Sequence, residues 1–130
     1  MSKPKILLID DESDVLDILK RLINTAGYDS ESVMNGADAI DMIERKPFDL
    51  AISDIRMGPV SGIDVLAAAR RLRPSMPFVL LTAYASDKTR REAQKLGAYA
   101  YLTKPFRMSV LLNTVERALA GAAQETGNSQ

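Results

Sequence analysis

Short apolar runs alternate with amphipathic stretches along the whole chain. The runs fall at 6–9, 28–33, 48–52, 78–81 and 98–102, and each reads as a β-strand. After the first run, Val15, Leu16, Leu19, Leu22, Ile23 and Ala26 recur at helical spacing, with Ser13 placed to cap the helix and Gly27 to end it. A second helix is expected over about 36–45, with Ala39, Ile40 and Ile43 inward. A third runs over about 62–73 and is stopped by Pro74. The fourth starts from a Ser86 cap and ends at Gly97; with little more than Ala93 and Leu96 to bury, it should be the most loosely held. The fifth follows Pro105 and lines up Met108, Leu111, Leu112, Val115 and Leu119 on one face, whereas 121–130 show no periodicity and read as a flexible tail or the start of a linker.

Five strand–helix pairs in strict alternation require a parallel sheet, because parallel neighbours need crossover helices, and right-handed crossovers cover both faces. KILLI and FVLL are apolar without alternation, as in strands buried on both sides; YDSESV is polar and belongs at an edge. The expected architecture is an α/β, doubly wound, five-stranded parallel sheet in the order 2-1-3-4-5. Strands 1 and 3 then flank the switch point where such sheets bind ligands. One domain over 1–120 accounts for this pattern.

Composition narrows the chemistry. The chain of 130 residues contains no Cys and no His, which removes disulfides, thiolate nucleophiles, imidazole catalysis and Cys- or His-ligated zinc. Lys and Arg number 17 and Asp and Glu number 17, so no bulk field exists to hold nucleic acid or anionic lipid, and no direct nucleic-acid binding is expected. No apolar stretch reaches the length of a membrane span or a signal h-region; the expected location is the cytoplasm, with no membrane partner.

What remains collects at the carboxyl ends of the strands. Asp10, Asp11 and Glu12 follow strand 1, Asp54 follows strand 3, Thr82 ends strand 4, and Thr103, Lys104 and Pro105 end strand 5. Adjacent strands lie about 4.8 Å apart, so Asp10 and Asp11 should sit beside Asp54, and the long stem of Lys104 can span the two intervening strands. Carboxylates this close either take up protons or gather around a divalent cation, for which hard oxygen ligands favour Mg²⁺, with Mn²⁺ as a substitute. A cation, a lysine and a hydroxyl around one carboxylate form a phosphoryl-transfer arrangement with Asp54 as nucleophile. No strong general base stands nearby, so the acyl phosphate should hydrolyse slowly. That suits a switch better than a hydrolase.

At these residues the chain resembles the receiver domains of two-component response regulators, on a flavodoxin-like (βα)5 fold. The resemblance covers about 4–120 and rests on LLIDDE, SDIRM, LLTAY and AYLTKPF. It implies that Asp54 is the phospho-acceptor, supplied by the phosphohistidine of a sensor kinase or by a phosphotransfer protein. It implies that Asp11 and Asp54 ligate the metal, that Asp10 does so through water, and that the backbone carbonyl of Arg56 is a further ligand. Thr82 and Tyr101 match the hydroxyl and aromatic pair that relays the state of the site, and a homodimer through helix 4, strand 5 and helix 5 is implied as one output. Receiver domains often have Pro then Gly after the SDIRM stretch, whereas Gly58 precedes Pro59 here. This difference concerns the loop before helix 3, and Gly62 still occupies the turn at the helix start.

Two other classes fit less well. A flavodoxin needs a hydroxyl-rich phosphate loop after strand 1, where DDES would repel phosphate, and an aspartate-nucleophile phosphatase needs a second Asp where Arg56 stands. A degenerate receiver, binding partners without phosphorylation, is the alternative within the family, and the complete set of acidic, hydroxyl and lysine positions speaks against it. Taken alone, Lys88, Arg90, Arg91 and Lys95 read as a solvated helix face, with docking as the minor reading.

Overall fold

The computed structural model describes residues 3–127, with side chains through 122. The elements alternate as β1 (Lys5–Ile9), α1 (Ser13–Thr25), β2 (Asp29–Val33), α2 (Gly36–Arg45), β3 (Leu50–Asp54), α3 (Gly62–Leu72), β4 (Phe78–Thr82), α4 (Asp87–Lys95), β5 (Ala100–Thr103) and α5 (Met108–Gly127). All neighbouring strands pair in parallel, in the order β2-β1-β3-β4-β5. This is the doubly wound sheet that the alternation predicts.

Each strand of the sheet centre divides its apolar residues between two cores. Leu7, Ile9, Ala51, Phe78 and Leu80 face α2, α3 and α4 through Ala39, Ile43, Val65, Leu66, Ala69 and Ala93. Ile6, Leu8, Leu50, Ile52, Val79 and Leu81 face α1 and α5 through Leu16, Leu19, Ile23, Leu111, Val115 and Ala118. Burial on both faces removes the need for polar alternation, which is why the central strands read as continuous apolar runs. Edge strand β2 keeps Asp29 and Ser32 exposed, and its Glu31 pairs with Lys46 and Lys5.

Four boundaries are placed by features that apolar spacing does not report, three by hydrogen bonding and the last by helix propensity. Ser13 is the first residue of α1 rather than its cap. Glu12 holds the cap position without a side-chain cap bond, and the Glu12 amide donates to Asp10 Oδ1 at 3.0 Å. Strand β3 begins at Leu50, because the Asp49 carboxylate accepts the Lys5 amide while the Asp49 amide donates to Lys5 O, and Phe48 is buried outside the strand. Strand β5 begins at Ala100, since the Ala98 amide still donates to Ala93 O at the end of α4. The last helix continues to Gly127, past the expected end near 120. Ala120, Ala122, Ala123, Gln124 and Glu125 are strong helix formers even without an apolar period. The remainder of the expected tail, 128–130, lies outside the described residues.

Candidate functional site

Register brings the acidic residues together. Ile9 lies opposite Ser53 in the β1–β3 pair, so the next positions of both strands, Asp10 and Asp54, emerge side by side at the carboxyl edge. On the other side of β3, Asp54 pairs with Leu81, and Thr82 pairs with Thr103 in the β4–β5 ladder. One residue later the Lys104 amide donates to Thr82 O at 2.8 Å, which aims Lys104 back across the edge from a cis Lys104–Pro105 peptide. Its ammonium reaches Asp54 Oδ2 at 3.3 Å and Asp10 Oδ2 at 3.5 Å.

The two carboxylates are held in the same manner. Asp10 is 1% exposed and Asp54 9% exposed. One oxygen of each accepts a backbone N–H, from Glu12 at 3.0 Å and from Ile55 at 2.6 Å, and the other faces Lys104. Burial holds the Asp10 carboxyl above its ordinary pKa, opposed by the Glu12 N–H and by Lys104. Burial alone would lower the Lys104 pKa, yet the charges of Asp10 and Asp54 more than offset it, so the net shift is upward and the ammonium is retained. Asp10, Asp11 and Glu12 can each bring a carboxylate oxygen within 4.8 Å of the others, and among the described residues Lys104 pairs with neither Asp11 nor Glu12. This excess of hard anionic oxygen fits a small divalent cation.

Gly62 keeps the floor of the site closed. Its amide donates to Ile55 O at 2.8 Å, and a Cβ there would stand 2.1 Å from Asp54 O, so the loop after β3 can return over the strand end only through a glycine. Gly58, at φ +91°, supplies the left-handed step in that loop, so Gly58 followed by Pro59 still forms the turn. The Ser53 hydroxyl, buried under the loop, donates to Asp54 O at 2.8 Å.

The remaining expected residues are near but otherwise engaged. Thr82 is 1% exposed, and its hydroxyl accepts from the Tyr84 amide at 3.0 Å rather than contacting Asp54. Arg56 lies in the loop two residues beyond Asp54, with its guanidinium 4.2 Å from the centroid of the exposed Tyr84 ring. Tyr101, diagonal to Thr82 on the same face of the sheet, is half-buried, and its hydroxyl bonds to the start of α4. Two features escape sequence reasoning: the Arg56–Tyr84 stack, and the link from Tyr101 to Ser86 and Thr89. Both join residues 12 to 28 positions apart and depend on the packed sheet.

The sequence model of the response regulator receiver domain matches residues 6–116. Over 125 residues the chain is 38% identical to the transcriptional regulatory protein ZraR of Salmonella typhimurium, an alignment covering 96% of this chain and 28% of that protein. It is 35% identical over 119 residues to the response regulator protein PilR of Pseudomonas aeruginosa, covering 92% of this chain and 27% of PilR. The chain therefore spans little more than a quarter of the length of these curated relatives. A CheY-like receiver domain protein from Methanospirillum hungatei superposes with a TM-score of 0.93 at 31% identity, over 95% of this chain and 99% of that one. The chemotaxis protein CheY4 of Vibrio cholerae superposes with a TM-score of 0.83 at 28% identity, over 90% and 99%. Motifs, topology and these relationships agree: the chain belongs to the response regulator receiver domain family.

Proposed function

We propose that Asp54 is the phospho-acceptor of this receiver domain and that Asp10, Asp11, Thr82, Lys104 and the Arg56 carbonyl form the machinery around it. The observation that carries the proposal is the buried Asp54 carboxylate 3.3 Å from Lys104 and beside an acidic cluster whose Asp11 and Glu12 have no ion pair among the described residues. Phosphoryl transfer needs positioning and charge neutralisation more than covalent chemistry. The Asp54 carboxylate attacks phosphorus, a new O–P bond forms as the donor's P–N bond breaks, and the imidazole of the donor leaves. A sensor histidine kinase or a phosphotransfer protein supplies that phosphohistidine, since this chain contains no His.

Lys104 faces Asp54 already and meets the incoming phosphoryl oxygens as a fixed positive charge. Thr82 gives up its bond to the Tyr84 amide and donates its hydroxyl to one of those oxygens. Asp10, Asp11, Asp54 and the Arg56 carbonyl are the groups that would hold Mg²⁺, or Mn²⁺. Bound there, the cation supplies neutralisation of phosphoryl charge. No side chain of the site acts as a strong base toward water, so the acyl phosphate is long-lived enough to signal. Phosphorylation adds about 1.5 to 2 negative charges and three acceptor oxygens at the strand edge. Thr82 and Tyr101 pass that change to the surface of α4, β5 and α5, where a second copy or an effector docks. The domain acts in the cytoplasm. Among the described residues no helix is long and apolar enough to cross a membrane.

Incubation with acetyl phosphate and Mg²⁺ should add one phosphoryl group, detected by intact-mass spectrometry and abolished by EDTA. In Asp54→Asn the addition should vanish, and in Lys104→Ala it should fall steeply. An unchanged yield in Asp54→Asn overturns the assignment.

A further inference from the structure

Helices α3 and α4 open with the same device and complete it differently. In each, a serine at the cap accepts from the amide three residues on: Asp64 N donates to Ser61 Oγ and Thr89 N to Ser86 Oγ, both at 3.1 Å. The amide of the cap residue then needs its own acceptor. In α3 that acceptor is local, since the Asp64 carboxylate receives the Ser61 amide at 2.9 Å and closes a capping box. In α4 the corresponding residue is Thr89, whose hydroxyl is directed to Ser86 O at 3.3 Å. The Ser86 amide donates instead to the Tyr101 hydroxyl at 3.3 Å, on strand β5.

Assignment of the hydroxyl protons makes this a closed unit. Thr89 Oγ1 lies 2.7 Å from the Tyr101 hydroxyl and 2.9 Å from Ser86 Oγ. With the Thr89 proton on Ser86 O, the hydroxyls of Ser86 and Tyr101 both donate to Thr89 Oγ1, which thereby uses its one donor and two acceptor sites. Arg90 covers the Tyr101 ring, with its guanidinium 4.4 Å from the centroid. The helix has little else to hold it, because Ala93 is its one fully buried residue.

We propose that Tyr101 completes the N-terminal cap of α4, in place of the acceptor that Thr89 is too short to provide, and that Thr89 is the positioning residue that holds the Tyr101 hydroxyl there. The first turn of α4 is then ordered or released with one side chain of β5. Rotation of Tyr101 leaves the Ser86 amide without its acceptor and Thr89 Oγ1 without one of its donors. The cap is a property of the unphosphorylated chain; its use as an output of Asp54 rests on the proposed function.

Amide hydrogen exchange, read by NMR on the full unphosphorylated chain, separates the two. Tyr101→Phe removes only the hydroxyl and should speed exchange at Ser86, Thr89 and Arg90 about five- to tenfold, the loss of one ordinary hydrogen bond. Exchange at Leu80 in the sheet core should stay unchanged. Thr89→Val should reproduce the effect and Thr89→Ser should not. Thr89→Glu gives α4 a capping box of its own, so adding it to Tyr101→Phe should restore protection at Ser86. The cap is refuted if Tyr101→Phe leaves these amides unchanged, or if the double variant exchanges as fast as Tyr101→Phe. Acetyl phosphate labelling of the same variants keeps the readings apart: loss of labelling in the unsubstituted chain sinks the phospho-acceptor assignment and leaves the cap untouched.

Discussion

Asp10 shows how a single residue can be arranged against stability. Its carboxylate is buried beside the charge of Asp54, and the Glu12 amide and Lys104 together do not offset what burial and that charge cost it, so its pKa is raised. A raised carboxyl pKa means that the folded state prefers the protonated form. The favourable contribution is complete below the unfolded pKa and is lost as pH rises through the folded value, so near neutrality ionised Asp10 is a net cost. In Asp10→Asn the amide oxygen can still accept from Glu12, and Lys104 keeps Asp54. In metal-free buffer at pH 7 this variant should melt higher than the wild type by about 4 °C, equivalent to about 1 kcal/mol in a domain of this size. The difference should shrink as pH is lowered toward the ordinary Asp range, and scanning calorimetry across pH checks both sign and slope. A lower melting temperature for Asp10→Asn at pH 7 would show that Asp10 stabilises the unmetallated site.

Elements differ in how openly their sequences declare them. Most strands and helices follow from apolar spacing, because burial on a strand or on one helix stripe leaves a period that survives without knowledge of partners, while polar β2 follows from the alternation of elements and α4 from its Ser86 cap and Gly97 end. Asp10, Asp54 and Lys104 were legible for a related reason: strand ends in a parallel sheet share one edge, so residues just after apolar runs must converge. Boundaries were less legible. Phe48 is apolar and buried yet precedes β3, and Ala98 completes the end of α4 before β5 begins. The Ser86–Thr89–Tyr101 unit left no local trace, since nothing in the β5 sequence says which helix its tyrosine meets. In α5, Gly121 falls inside the helix although apolar periodicity ends before it, and a Cβ there meets nothing within 4 Å. Ala lacks the backbone entropy penalty of Gly in a helix, so Gly121→Ala should stabilise the domain by about 0.5–1 kcal/mol in urea unfolding, with an unchanged m-value. A neutral or destabilising result would mean that α5 is not helical at this position in solution.

For the molecule as a whole, zero net charge conceals a polarised arrangement. Folding draws Asp10, Asp11, Glu12 and Asp54 to one end of the sheet, where Lys104 pairs with Asp10 and Asp54 and leaves Asp11 and Glu12 without an ion pair among the described residues. In the unfolded chain Asp54 and Lys104 are far in sequence from the acidic run, so the cluster proposed to hold the cation is assembled only in the folded state. A ligand selective for the folded state stabilises it by mass action, by about 2.7 kcal/mol at a free concentration one hundred times its Kd. Mg²⁺ should therefore raise the melting temperature by several degrees, saturating with concentration, whereas NaCl at equal ionic strength should not, because screening of exposed charges neither saturates nor distinguishes valence. Asp11→Ala removes an exposed carboxylate that pairs with no basic residue among those described, so it should abolish the Mg²⁺ increment while leaving the metal-free melt close to that of the wild type. Asp54→Asn should reduce the increment as well. If Asp11→Ala gains as much from Mg²⁺ as the wild type does, the cation binds away from the strand edge, and Asp54 must be neutralised by Lys104 alone.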